Sequence, residues 1–138
     1  LMDGGQTSLD ELLKEGPVLV NFWATWCAPC KKEMIHLNKY HIKYKDNGFK
    51  VICVSTDATK SMSKVKSYIK SKKYKFLVGL DPNSEIMKKM NAVLMPTTLI
   101  INQKREVLWY HQGYILGDEV DIEEQIRQSL NLDGKISE

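Results

Sequence analysis

Phe22-Trp23-Ala24-Thr25-Trp26-Cys27-Ala28-Pro29-Cys30-Lys31-Lys32-Glu33 places two cysteines three residues apart, where an apolar run gives way to a charged helical pattern. A disulfide needs Cα atoms about 4.4–6.8 Å apart, and residues at this spacing in the first turn of a helix meet that condition. Cys27 then sits at a helix N-terminus, beside unpaired amide N–H groups and a partial positive charge. Both favour thiolate, the attacking form, so Cys27 is the expected nucleophile. Cys30, one turn further in and shielded by the helix, is placed to resolve a mixed disulfide. Pro29 suits a first helical turn, where its missing N–H goes unnoticed. Ala28 adds no charge, and without a His there the pair is expected to behave as a reductant. Trp23 and Trp26 flank the pair, and an exposed indole offers a platform for a partner chain.

Working outward, Pro17 to Phe22 reads as a buried strand, with β-branched Val18 and Val20 after Gly16-Pro17. From Pro29 to Lys45, Met34, Leu37, His41 and Tyr44 recur at helical spacing against Lys31, Lys32, Lys39, Lys43 and Lys45, and Asn47-Gly48 supplies a left-handed stop. Lys50 to Ser55 reads as the next buried strand, and Met62, Val65, Tyr68 and Ile69 mark a second amphipathic helix. Phe76 to Leu80 is a short apolar segment closed by Asp81-Pro82-Asn83, with Ser84 the expected cap of a short helix through Met90. Thr97 to Ile101 and Glu106 to Tyr110, joined by Asn102-Gln103-Lys104-Arg105, read as an antiparallel hairpin. Asp118 to Leu130 is a final helix, and Asp133 to Glu138 a polar tail. Strand, helix, strand, helix at the start implies a parallel core, so the class is α/β: a central mixed β-sheet flanked by helices, in the order βαβα, a short β/α insert, then ββα.

With 138 residues, 43% hydrophobic and 27% charged, the chain is expected to form one globular domain over 1–138. No apolar run approaches the roughly 20 residues of a spanning helix, so a soluble domain is expected. Asp10, Glu11, Lys14 and Glu15 stand before Val18–Ala24, where a secretory signal would be basic; no targeting segment is read, and the start at Leu1 suggests a domain excised from a longer, anchored precursor. The net charge of +3 is spread out. Lys64, Lys66, Lys70, Lys72, Lys73 and Lys75, with Tyr68 and Tyr74, read as a solvated helix face and not a nucleic-acid surface.

Zinc would need two more ligands at recognisable spacing, and His36, His41 and His111 form no such pair, so no metal is expected. A purely structural crosslink of so short a loop gains little. Cys53, inside Val51-Ile52-Cys53-Val54, reads as a small core hydrophobe. Pro96 is compatible either with a cis bond or with an ordinary trans proline opening a strand.

The stretch from Phe22 to Glu33, with Asp81-Pro82-Asn83, Met95-Pro96-Thr97-Thr98 and Gly113, resembles the thioredoxin superfamily, and within it the extracytoplasmic TlpA/ResA-like thiol-disulfide oxidoreductases. The resemblance covers nearly the whole chain. It implies a thioredoxin fold, a cis bond before Pro96, and capture of an extended substrate segment by the backbone at Met95, with Trp26, Ala28, Pro29, Pro96 and Thr97 around it. It also implies a role for Glu33. Many thioredoxins carry a buried Asp where this chain has Asn21, and the TlpA/ResA-like relatives have a Glu where Glu33 stands, one turn past Cys30. A carboxylate held near the sulfurs in a dry site would shuttle protons; the alternative is an exposed first-turn Glu suiting the helix dipole.

The expected activity is reduction of disulfides in extracytoplasmic client proteins by the Cys27/Cys30 dithiol. The redox-active disulfide itself serves in place of any cofactor. A membrane or thioredoxin-type donor would supply electrons to a monomer in the bacterial periplasm or cell envelope. The alternatives are a disulfide oxidase or isomerase, and a redox-inactive peptide-binding module.

Overall fold

The computed structural model describes residues 1–2 and 4–132, so the expected tail at 133–138 lies outside the described residues. The chain builds α1 (Leu9–Leu12), β1 (Val18–Trp23), α2 (Ala28–Tyr44), β2 (Lys50–Ser55), α3 (Met62–Lys72), β3 (Leu77–Leu80), α4 (Glu85–Lys89), β4 (Thr97–Ile101), β5 (Val107–Gln112) and α5 (Asp118–Ser129). One sheet runs in the order β3-β2-β1-β4-β5. β1 pairs in parallel with β2 and antiparallel with β4, β2 with β3 in parallel, and β4 with β5 antiparallel. This is the mixed sheet expected from the βαβα start and the terminal hairpin.

β1 is central, and every one of its residues is buried, which is why it reads as a continuous apolar run and not as an alternation. Its side chains still divide between two layers. Leu19 and Trp23 join Met34, Leu37 and Tyr44 of α2, Val65 and Ile69 of α3, and Ile122 and Ile126 of α5. Val18, Val20 and Phe22 face the other way, onto Leu12, Leu13, Met87 and Ala92. Both crossovers, β1 to β2 and β2 to β3, progress in the same direction across the sheet. With right-handed connections they lay α2 and α3 on one face, leaving the other to α4 and the N-terminal segment.

α2 runs on through a short 3-10 turn at Lys45–Asn47 and stops at Gly48, whose φ is 87°. A Cβ there would lie 2.2 Å from the Glu15 carbonyl oxygen, so glycine answers both the left-handed backbone and the close approach of the two chains.

Three elements differ from the sequence reading. α1 was not expected; at four residues it is too short for periodicity, although Ser8 and Glu11 carry a capping-box pattern and the Ser8 hydroxyl accepts the Glu11 amide at 3.2 Å. Ser84 does not cap α4. It adopts φ 56°, and the Asp81 carboxylate takes over, accepting from the amides of Glu85 at 2.9 Å and Met87 at 3.0 Å. β5 begins and ends later than Glu106–Tyr110 because the hairpin is irregular: Ile100 pairs with Trp109 and Ile101 with Val107, so Leu108 is an extra residue.

Candidate active site

β1 ends at Trp23 on the rung opposite Ser55, and the chain turns over Ala24–Cys27, with the Cys27 amide donating to the Ala24 carbonyl at 3.0 Å. Cys27 is the N-cap of α2, with extended backbone (φ −100°, ψ 102°), and its sulfur accepts the Cys30 amide at 3.3 Å. The helix N-terminus therefore delivers an N–H to the sulfur expected to attack. Cys27 and Cys30 are joined in a disulfide, their Cα atoms 5.3 Å apart. Cys30 is fully buried and Cys27 keeps 6% of its surface exposed, so Cys27 is the outer sulfur of the pair.

Ala28 and Pro29 lie exposed in the first turn of α2. Of the two indoles thought to flank the pair, only Trp26 is a surface group, 72% exposed. Trp23 is wholly buried, its ring 5.7 Å from that of Tyr68, and its indole N–H finds no hydrogen-bond partner among the described residues. Strand alternation separates them: Trp23 is the last residue of β1 and points into the core, whereas Trp26 sits on the turn.

The Met95–Pro96 bond is cis. The Pro96 carbonyl accepts the Gly113 amide at 2.7 Å, and the Thr97 hydroxyl donates to the Leu94 carbonyl at 2.5 Å, so this loop is tied on both sides. Met95 precedes β4 and stands outside the sheet's ladder; its sulfur lies 3.1 Å from the Thr56 hydroxyl. A groove of about 670 Å³ is lined by Trp26, Thr56, Met87, Val93, Leu94 and Met95, which brings the Trp of the cysteine turn and the residue before Pro96 to one surface. Val93 and Leu94 are exposed apolar residues on its wall.

Glu33 is not an exposed first-turn residue. It is fully buried, on the same inward side of α2 as Cys30 one turn before. Asn21 Nδ2 donates to one carboxylate oxygen at 2.7 Å, and the Thr98 hydroxyl donates to the other at 3.0 Å. The same Asn21 nitrogen also donates to Thr98 Oγ1 at 3.1 Å, closing a three-residue ring. Burial pushes the Glu33 carboxyl up to about 7; the Thr98 and Asn21 hydrogen bonds pull against it and the charge of Asp118 adds slightly. The Asn21 side-chain oxygen has no partner among the described residues. Cys53 is free and buried in β2, and burial, then the charge of Glu33, push its thiol well up.

Sequence reasoning missed Asp57. Its carboxylate, 3% exposed, accepts from the Thr25 amide and hydroxyl directly behind the cysteine turn. A lone Asp after a strand carries no sequence signal of that contact. Among the described residues no three His, Cys, Asp or Glu side chains gather as a metal site, and no helix is long and apolar enough to cross a membrane.

A redoxin family model matches residues 1–126. The chain belongs to the redoxin family. It is a TlpA/ResA-like member of the thioredoxin superfamily, and its relatives carry matching names. It is 35% identical over 112 residues to the thiol-disulfide oxidoreductase ResA of Bacillus thuringiensis, covering 81% of this chain and 63% of that protein. It therefore spans less than two thirds of that relative's length. Among solved structures it superposes on StoA from Bacillus subtilis with a TM-score of 0.69 at 26% identity, covering 82% of this chain and 84% of that one. A thioredoxin-like protein from Porphyromonas gingivalis gives 0.71 at 28% identity, over 83% of this chain and 76% of that one.

Proposed function

We propose that this redoxin reduces disulfides in extracytoplasmic client proteins, with Cys27 as nucleophile, Cys30 as resolving thiol and Glu33 as proton carrier. The observation that carries the reading is the asymmetry of the pair: Cys27, which keeps 6% of its surface exposed and receives an N-terminal amide, and a fully buried Cys30 one turn behind it. Such a pair separates attack on a partner from release of that partner.

In the reduced protein the Cys27 thiolate attacks one sulfur of the client disulfide. A Cys27–client bond forms, the client S–S bond breaks, and the other client sulfur leaves as thiolate. Cys30 then gives its proton to Glu33, whose carboxyl titrates near neutrality, and attacks the Cys27 sulfur. The Cys27–Cys30 bond forms, the second client sulfur leaves, and two electrons have passed to the client. The departing thiolates take up protons from Glu33 and water. Trp26, Ala28 and Pro29 form the surface around the attacked bond, and the Met95–Pro96–Thr97 loop presents main chain to an extended client segment. The dithiol needs no other cofactor. A membrane or thioredoxin-type thiol donor restores it in the bacterial periplasm or cell envelope, and the relatives' names, thiol-disulfide oxidoreductases, fit the exchange chemistry.

The reductant direction follows from the neutral Ala28 between the cysteines, which offers the Cys27 thiolate no added cation. Two measurements test the reading. Cys30→Ser in the full chain should accumulate client proteins as mixed disulfides on Cys27, released by dithiothreitol, with none captured by the Cys27→Ser, Cys30→Ser double variant. Equilibration of the wild type in a redox buffer should give a potential near thioredoxin's roughly −270 mV; a value near −120 mV would make it an oxidant instead.

A further inference from the structure

Asp57 is a buried carboxylate that the exchange chemistry does not use. It follows β2 by two residues and is 3% exposed, yet it points at the turn that carries Trp26 and Cys27. Its Oδ1 accepts the Thr25 amide at 3.0 Å and the Ser55 hydroxyl at 2.7 Å, and its Oδ2 accepts the Thr25 hydroxyl at 2.5 Å and lies 3.3 Å from the same amide. The Ser55 hydroxyl in turn accepts the Asp57 amide at 3.1 Å, which fixes the carboxylate itself.

The surroundings say what this clamp is for. The β1–β2 register ends at Trp23 and Ser55, and the Thr56 amide adds one more bond to the Trp23 carbonyl at 2.9 Å. Beyond that point the chain leaves the sheet and does not enter α2 until Ala28. Between the two, Thr25 is held by Asp57, and the Cys27 amide closes the turn on Ala24. Both the amide and the hydroxyl of Thr25 donate to this one buried carboxyl, and two bonds on one residue restrict the turn more than a single bond could.

We infer that Asp57 is a positioning residue for disulfide exchange: by clamping Thr25 it holds the Ala24–Cys27 turn in the pose that offers the Cys27 sulfur and the Trp26 indole to a polypeptide client together. The inference rests on the exchange reading above. A peptide client must meet sulfur and indole at once, so a loosened turn costs it orientation, whereas a small disulfide needs only the sulfur. The clamp thus acts on polypeptide clients more than on the thiol chemistry.

The test uses the full chain as wild type, Asp57→Ala, Thr25→Val and Thr25→Ser. Each is reduced and mixed with a disulfide-linked peptide dimer and, separately, with hydroxyethyl disulfide; Thr25 amide hydrogen exchange and Cys27 alkylation by iodoacetamide are followed in parallel. In Asp57→Ala, with native near-UV dichroism, the Thr25 amide should exchange at least about tenfold faster. The peptide rate should fall about tenfold while the small-disulfide rate stays within about twofold. Thr25→Val, which loses the hydroxyl and keeps the amide, should fall between, and Thr25→Ser should restore the wild-type ratio of the two rates. Should Asp57→Ala not fold, the Val and Ser variants carry the same comparison. An unchanged ratio in folded Asp57→Ala, or equal ratios for Thr25→Val and Thr25→Ser, overturns the inference. A wild type that reduces neither probe would sink the exchange reading instead. The clamp would then be judged by Thr25 amide protection and Cys27 alkylation, and wild-type values of both in the variants would overturn it.

Discussion

At the scale of a single residue, Glu33 is the buried acid beside the cysteine pair, its carboxyl raised by burial. It is buried on the α2 face that also buries Cys30, and it shares a ring of hydrogen bonds with Asn21 and Thr98. An acid at position 21 would set two carboxylates at hydrogen-bond distance, which cannot both ionise; the amide leaves one titrating group in the pocket. Because the folded carboxyl stands near 7 against an ordinary 4.5, folding favours the protonated form. Its contribution to stability is therefore fully present below pH 4.5 and lost as pH rises through about 7. Urea unfolding of wild type and Glu33→Gln across this range should show the wild type losing up to about 3 kcal/mol relative to the variant between acid and mildly alkaline pH. The difference isolates Glu33 from other groups, including His41, which burial shifts in the opposite sense. The rate of disulfide exchange against pH should likewise lose an inflection near neutrality in Glu33→Gln. An unaltered profile would remove Glu33 from proton transfer.

Among the elements, α4 shows how a local reading can find the right segment and the wrong anchor. Ser84 stands one residue before the helix, where a hydroxyl cap is expected, but its left-handed backbone carries the side chain away and Asp81 reaches across the turn instead. Asp81→Ala should cost about 1–2 kcal/mol in chemical denaturation, and Ser84→Ala should stay within about 0.5 kcal/mol. The reverse ranking would mean that the hydroxyl is the effective cap. α4 places Met87 both against the sheet and on the wall of the Trp26–Met95 groove, so the loss of Asp81 should also weaken exchange with peptides. The irregular rung at Leu108 belongs to the same scale. The hairpin was readable from its two β-rich runs and polar turn, but an extra residue inside a ladder depends on which partners face each other.

Across the whole molecule, α5 is tied to the helix that bears the cysteines. The Tyr40 hydroxyl donates to the Glu119 carbonyl at 2.8 Å, and Lys43 and the Tyr44 hydroxyl both donate to Glu123 at 2.6 Å. Beneath these bonds Ile122 and Ile126 are fully buried in the layer that holds Trp23, Cys30 and Met34. Ile126→Ala should destabilise by about 2–5 kcal/mol, whereas Val120→Ala, at a position 60% exposed, should be near neutral. Equal and small effects would show α5 to be an appendage to the layer and not part of it. The cysteine pair and the buried face of α5 share one packed layer, and the cis-Pro loop is held by the Gly113 amide just past the end of β5.

The sequence by itself determined the features that depend on neighbours along the chain. The Cys27/Cys30 spacing, the helix start that follows it, the bounds of β2 and β4, and the α/β order all follow from short-range geometry and from runs that must be buried. The family was legible for the same reason, because its motifs are contiguous. Only the tertiary structure decided which tryptophan reaches solvent, that Glu33 is buried in a polar ring, and that Asp57 grips the active turn. Those contacts join residues 77, 65 and 32 apart in the chain. Period and propensity act over a few residues, while burial and hydrogen bonding of a carboxylate are settled by whatever the sheet brings alongside it.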